Sequence, residues 1–383
     1  MPGQLKTGLA SLCTWTGVDR LTGALLRARH VPLIIGYHRV VQDFADESQT
    51  AIPSLLISRN MLERHLDWLG RHFRFASLDE IGETLAEGAP FREPTVAITF
   101  DDGYSDVYEN ALPILKSKGI PATVFVVTDL IGTEQLPLHD RLYVLLRWAY
   151  SGMGRDPEAL KRVLAALKLE TIPAFEGDWT PLPATRHLLL NLSQNEIEAV
   201  ITHLMNETRS EGEGAGPRPL TWDMVSRMHR MGLTIGSHTR THALLTRERK
   251  TRLQDETAGA RRDLEARLGI GITHFAYPDG RFDPTAVDAV HAAGYRFAYT
   301  TCRHRDPRHP LLSIPRRLFW ERSCVDGRGT FSPAIMSCSV HGVFDLVARC
   351  AQDHGGRGRN SSRAGERPHA DPPSREKQPR PAA

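Results

Sequence analysis

Short apolar runs alternate with longer amphipathic stretches along most of the 383-residue chain. Residues 31–37 (VPLIIGY), 95–100 (TVAITF), 122–127 (ATVFVV), 233–235, 273–277, 295–300 and 311–314 have the length and apolar character of buried parallel strands. Between them the spacing is helical. Ser58 is placed to N-cap a helix through Leu69, with Leu62, Leu66 and Leu69 on one face, and Ser77 caps a second through Leu85. Further helices are predicted over 104–118, 222–231, 247–268 and 284–293. Strands alternating with helices of this length predict an α/β fold, a parallel sheet or barrel of about seven strands. Its functional side chains belong at the strand C-terminal ends, where His38, Asp101 and Asp102 fall.

Three regions depart from this rhythm. Residues 1–30 carry Leu5, Leu9, Leu12, Leu21 and Leu25 at helical spacing, which predicts amphipathic helices packed on the body, with peripheral membrane association as the alternative. Within the barrel region, 31–325, residues 136–218 show helical stretches at 141–150, 157–169 and 194–205, split by linkers bearing Pro and Gly. With no strand among them they read as a helical insertion, a lid or a substrate-facing wall. Residues 326–383 form a C-terminal extension whose Gly, Arg, Ser and Pro content predicts disorder beyond about 352.

Composition narrows the function classes. A 40% hydrophobic content suffices for a large core, and a net charge of +3 with dispersed Lys and Arg gives no nucleic-acid footprint. No apolar run approaches the ~20 residues of a membrane span, and no clean leader peptide opens the chain. The expectation is a cytoplasmic protein, at the inner membrane face if residues 1–30 attach there. Five cysteines without CxxC spacing argue against both a disulfide framework and a zinc ribbon, and fit a reducing compartment.

The candidate chemistry begins at Thr99-Phe100-Asp101-Asp102-Gly103-Tyr104. Adjacent strand residues face opposite ways, so Asp101 and Asp102 converge only if the strand ends there, and Gly103 permits the turn. One carboxylate can then bind a cation while the other stays free as a base. Alone, the tripeptide fits a Mg²⁺ site or an ordinary turn equally well. The stretch Ser237-His238-Thr239-Arg240-Thr241-His242 decides between them, because imidazoles four residues apart can share one ion and prefer Zn²⁺ or a similar transition metal. A carboxylate with two histidines leaves positions open for water, as catalytic sites do.

On these motifs the sequence resembles the polysaccharide deacetylase family, carbohydrate esterases with a NodB homology domain. Thr99-Phe100-Asp101-Asp102-Gly103 matches its first motif and His238-Thr239-Arg240-Thr241-His242 its H-S/T-x-x-H motif, and the resemblance covers residues 31–136 and 219–318. It implies a distorted (β/α) barrel of about seven strands that removes an N-acetyl group from an amino sugar in a polysaccharide or oligosaccharide. Deformylation of a lipid-linked amino sugar and a non-catalytic carbohydrate-binding barrel are the alternatives. The resemblance makes Asp101 the general base and assigns Asp102, His238 and His242 to a divalent transition metal, with Zn²⁺ first. Tyr104, Tyr277, Pro278, Asp279 and Gly280 fall at the substrate, and a backbone N–H near 278–280 would be a second oxyanion donor.

Two departures from the family pattern direct attention elsewhere in the chain. Ala276 stands where the family's third motif has an arginine that orients the catalytic Asp, and Arg316 is the candidate substitute. The late L-x-x-H is also missing, since Cys338 precedes His341 at that spacing. Tyr37-His38, ending the first strand, resembles permuted members that supply the acid from the N-terminal side, so His38 is expected to protonate the leaving amine.

Overall fold

The computed structural model describes residues 3–27, 32–151, 158–169, 180–208, 218–346, 350 and 354. The apolar runs become one parallel sheet. Its strands are β1 (Leu33–Tyr37), β2 (Thr95–Phe100), β3 (Ala122–Val126), β4 (Thr234–Ser237), β5 (His274–Ala276), β6 (Phe297–Thr300), β7 (Ile314–Pro315) and β8 (Arg317–Leu318). From β1 to β7 each strand pairs with the next in the chain, with β1 and β2 in full register from Leu33 opposite Val96 to Tyr37 opposite Phe100. The last two strands share one stave. β7 pairs with β6 through Ile314 opposite Tyr299, β8 pairs with β1 through Arg317 opposite Ile35, and Arg316 is the hinge between them. Seven staves therefore nearly close into a barrel with helices around it, as the alternation predicts. A short strand, Arg74–Phe75, lies beside the start of β2.

Both faces of the sheet are buried, which is why its strands read as continuous apolar runs. Ile34, Ala97, Phe125, Ala276, Tyr299 and Ile314 share one cluster, while Ile35, Tyr37, Ile98, Phe100, Val124 and Phe275 pack into the larger one with the surrounding helices. Each Ile, Val or Phe among them contributes roughly 1.5–3 kcal/mol by leaving water. The helix Arg59–Gly70 starts where Ser58 Oγ accepts the Met61 N–H at 3.2 Å, as predicted.

The helix predicted over 247–268 is split into Lys250–Gln254, a wider π segment at Asp255–Gly259, and Ala260–Leu268. The insertion holds the helices Leu138–Ser151, Ala159–Ala166, Pro181–Asn191 and Gln194–Thr208 around their own core of Leu142, Leu146, Leu160, Leu188, Val200 and Leu204. Pro181–Asn191 falls outside the predicted stretches because its prolines suggest a linker. Both lie in the first turn, where a missing N–H breaks no helical bond.

In the C-terminal extension a helix, Pro333–Val340, packs Ile335 and Cys338 against Ala10 of the N-terminal helix Gly3–Thr16. That helix leaves Leu5, Leu9, Leu12 and Trp15 exposed. Among the described residues no helix is long and apolar enough to cross a membrane. The disorder expected beyond 352 falls on residues outside those described, except His354.

Candidate active site

The β1–β2 ladder ends where Asp101 N–H donates to Tyr37 O at 2.9 Å. The backbone then turns through two successive left-handed residues, Asp102 (φ 72°) and Gly103 (φ 76°). Asp, with its short polar side chain, is among the few non-glycine residues that enter this region readily. The reversal lets two adjacent carboxylates serve one site. Thr239 (φ 67°), His242 (φ 63°) and Asp279 (φ 54°) repeat the conformation. Such strain, of order 1–3 kcal/mol per residue, persists where the surroundings over-determine it, as at functional sites.

Asp102 Oδ1 lies 3.4 Å from His238 Nε2 and 3.2 Å from His242 Nε2, and one ligand atom from each of the three falls within 4.8 Å of the others. His238 Nδ1 is 2.8 Å from the Ala276 carbonyl, so it carries the proton and donates, leaving the Nε2 lone pair aimed at Asp102. Both Asp102 oxygens are buried without a hydrogen-bond partner. A buried ionised carboxylate in that state is costly, and a cation between the three side chains would relieve it. Burial would raise the Asp102 carboxyl, but the His242 charge and the contacts with both imidazoles hold it well below the ordinary carboxylate range. Burial likewise lowers His242, and Asp102 outweighs it, so that imidazole is raised. The trio fits a divalent transition metal.

Glu256, on the π segment and 1% exposed, shapes the histidine loop. Its carboxylate accepts the backbone N–H groups of Arg240 (3.0 Å) and Thr241 (2.9 Å) and the Thr241 hydroxyl (2.6 Å). Helical periodicity gave no hint of this role, because the π segment alters which side chains share a face.

Arg316 Nη1 and Nη2 donate to the two Asp101 oxygens at 2.7 Å each, and Nη1 also donates to Thr99 Oγ1 at 3.0 Å. The guanidinium lies 5.1 Å from the Phe125 ring centroid. An arginine on the seventh stave thus orients Asp101, while position 276 on the fifth is an alanine. Burial would raise the Asp101 carboxyl, yet the charges of Arg316 and His238 outweigh it and hold the group below the usual range. His38, half-buried after β1, adds its charge to the field at both Asp101 and Asp102.

Tyr104 and Tyr277, expected at the substrate, are 1% and 0% exposed. Tyr277 OH donates to Leu312 O at 3.0 Å. Tyr104 OH donates to Asp140 Oδ2 (2.8 Å), so at His139 Nε2 (2.9 Å) it accepts. His139 Nε2 is also 3.9 Å from Asp102 Oδ2, and its ring centroid is 4.9 Å from that of His242. Sequence reasoning missed this pair, which opens the first insertion helix and reaches the site through tertiary packing. Pro278 and Gly280 are buried and Asp279 exposed. Gly280 sits at φ 62°, where a Cβ would come within 2.2 Å of Thr301 Oγ1 and 2.5 Å of Thr301 N, so no side chain fits there.

The family model for polysaccharide deacetylases matches residues 88–170 and 177–298, more than half of the chain. His38 and Arg316 lie outside that match. Over 110 residues the chain is 36% identical to the poly-beta-1,6-N-acetyl-D-glucosamine N-deacetylase of Staphylococcus aureus (strain MSSA476). That alignment covers 27% of this chain and 38% of the relative, well under two thirds of its length. The fold is similar to that of the Streptococcus pyogenes deacetylase PplD in complex with acetate, with a TM-score of 0.50 and 17% identity over 78% of this chain and 96% of that one. This last likeness is one of fold alone.

Proposed function

Because this chain belongs to the polysaccharide deacetylase family, we propose that it is a hydrolase that cleaves the N-acetyl C–N bond of an amino sugar in a polysaccharide or oligosaccharide. The observation that carries this reading is the Asp102–His238–His242 trio lying beside an Asp101 clamped by Arg316. Asp102, His238 and His242 would hold a divalent transition metal, with Zn²⁺ our first assignment on the chemistry of the donor set. When bound, such an ion supplies Lewis acidity toward the acyl oxygen and toward a water molecule.

The chain's own residues account for the proton transfers. Asp101 is an acceptor rather than a ligand: its two oxygens are fixed by Arg316, and its lowered pKa keeps it ionised and available to take the proton of the attacking water. His38, at the end of β1, is our choice for the group that delivers a proton to the amine nitrogen as the C–N bond breaks. Gly280 N–H is already donated to Tyr277 O, and Pro278 has none, which makes the Asp279 N–H our assignment for a donor to the acyl oxygen. Acetate and a free amine are the products.

A lipid-linked amino sugar, with formyl in place of acetyl, is the second reading; the exposed Leu5, Leu9, Leu12 and Trp15 favour it and support a location at the inner membrane face. Assay of acetate and amine release across N-acetylated oligosaccharides, with an Asp101→Asn variant in parallel, tests the first reading. The variant should keep its metal and lose about 10²–10⁴ in turnover. Equal turnover in the two proteins would remove Asp101 from the mechanism.

A further inference from the structure

Apart from the Asp102 trio, the chain brings together three more side chains with metal-binding atoms. Cys302 lies just past the end of β6, whereas Cys350 and His354 belong to the C-terminal extension. Cys302 Sγ is 2.8 Å from Cys350 Sγ and 3.2 Å from His354 Nε2, and Cys350 Sγ is 3.3 Å from the same nitrogen. One ligand atom from each residue lies within 4.8 Å of the others.

We propose that Cys302, Cys350 and His354 form a second metal site, selective for a soft or borderline transition metal such as Zn²⁺, that clips the C-terminal extension to the barrel. Two sulfurs and an imidazole nitrogen are the donor set that Zn²⁺ favours. The supporting contacts match what ligands of a metal need. His354 Nδ1 donates to Phe282 O at 3.2 Å, which leaves Nε2 as a lone pair facing the two sulfurs, and the His304 backbone N–H donates to Cys302 Sγ at 3.3 Å, a contact that favours thiolate. The His354 ring packs against two neighbours, with centroids 4.3 Å from His304, nearly parallel, and 4.5 Å from Phe282. A pair of cysteines meant only for each other would not need an oriented imidazole.

Two thiolates on a tetrahedral Zn²⁺ stand about 3.8 Å apart, so the sulfurs separate by roughly 1 Å on loading. Cys350, which is exposed, has room for that movement. The fourth position is left for water. Such a clip fixes more than the tail. Thr300, two residues before Cys302, donates through Oγ1 to Gly280 O at 2.5 Å, so the site is joined to the 278–280 turn at the barrel mouth. Neither cysteine has CxxC spacing, which is why the sequence pattern did not reveal the site.

The test uses the full chain, purified under reducing conditions, stripped of metal and reloaded with Zn²⁺ or Co²⁺. Wild type should take up two equivalents, while Cys302→Ser and His354→Ala should each take up one. The Asp102→Ala/His238→Ala double variant should still bind one equivalent and, with Co²⁺, show a thiolate-to-cobalt charge-transfer band that adding Cys302→Ser abolishes. If the double variant does not fold, the drop from two equivalents to one in Cys302→Ser carries the same test. Unchanged stoichiometry in Cys302→Ser, a cobalt spectrum without the thiolate band, or a Cys302–Cys350 disulfide in protein isolated without added reductant would each overturn the proposal. None of these results depends on whether the Asp102 site is catalytic.

Discussion

Asp101 is a buried carboxylate that must remain ionised to act as a base, and Arg316 makes that possible. Breaking a buried pair by removing one partner costs about 3–5 kcal/mol, because the other charge is left uncompensated. Arg316→Met should therefore lower stability and also move the chemistry. Arg316 holds the Asp101 carboxyl below its ordinary value, so without it that group rises and the acid limb of the kcat/KM profile shifts to higher pH. A profile of unchanged position with reduced amplitude would mean that Arg316 acts only in folding. Asp101, Asp102, His238 and His242 were legible in the sequence because each motif is local and follows a strand. The Arg316–Asp101 pair spans 215 positions, and only the vacancy at Ala276 pointed to it. Nothing in the spacing pointed to His139, Asp140 or Glu256, which reach the site through tertiary packing.

Among the elements, the π segment Asp255–Gly259 links a helix to the histidine loop. Regular 3.6-residue spacing predicted one helix over 247–268, and periodicity cannot register a single turn that widens. In that wider turn Glu256 accepts three hydrogen bonds from Arg240 and Thr241 and so fixes the segment between His238 and His242. Glu256→Gln should weaken metal affinity by about 10–100-fold, the usual effect of losing an outer partner, while turnover at saturating metal stays near wild type. Competition with a chromophoric chelator measures the first quantity, and unchanged affinity would confine Glu256 to packing. The barrel strands were easier to read, since both their faces are buried and their short runs are mostly apolar. The seventh stave was harder, because Arg316 splits it into two two-residue strands.

At the scale of the whole molecule, the outer layer carries an acid-sensitive group. His65, on the helix Arg59–Gly70, is fully buried beside the rings of Tyr37, Phe319 and Phe331, and burial lowers its imidazole to about 3. The folded state thus holds His65 neutral while the unfolded chain binds its proton near the ordinary value of about 6.5. Above that value His65 is neutral in both states and adds no pH dependence. As pH falls from about 6.5 toward 3 the unfolded state gains protons first, and stability drops by an amount on the order of 4 kcal/mol. Denaturant titrations at several pH values should show wild type losing that much more than His65→Phe over this window, and parallel curves would refute the assignment.

The Asp102 trio is central to the proposed hydrolysis, and acetate release before and after metal removal tests its role most directly. Chelated protein should release no acetate from N-acetylated oligosaccharides, and Zn²⁺ should restore release in wild type but not in His238→Ala. Undiminished release from the stripped protein, or full restoration of His238→Ala, would contradict it.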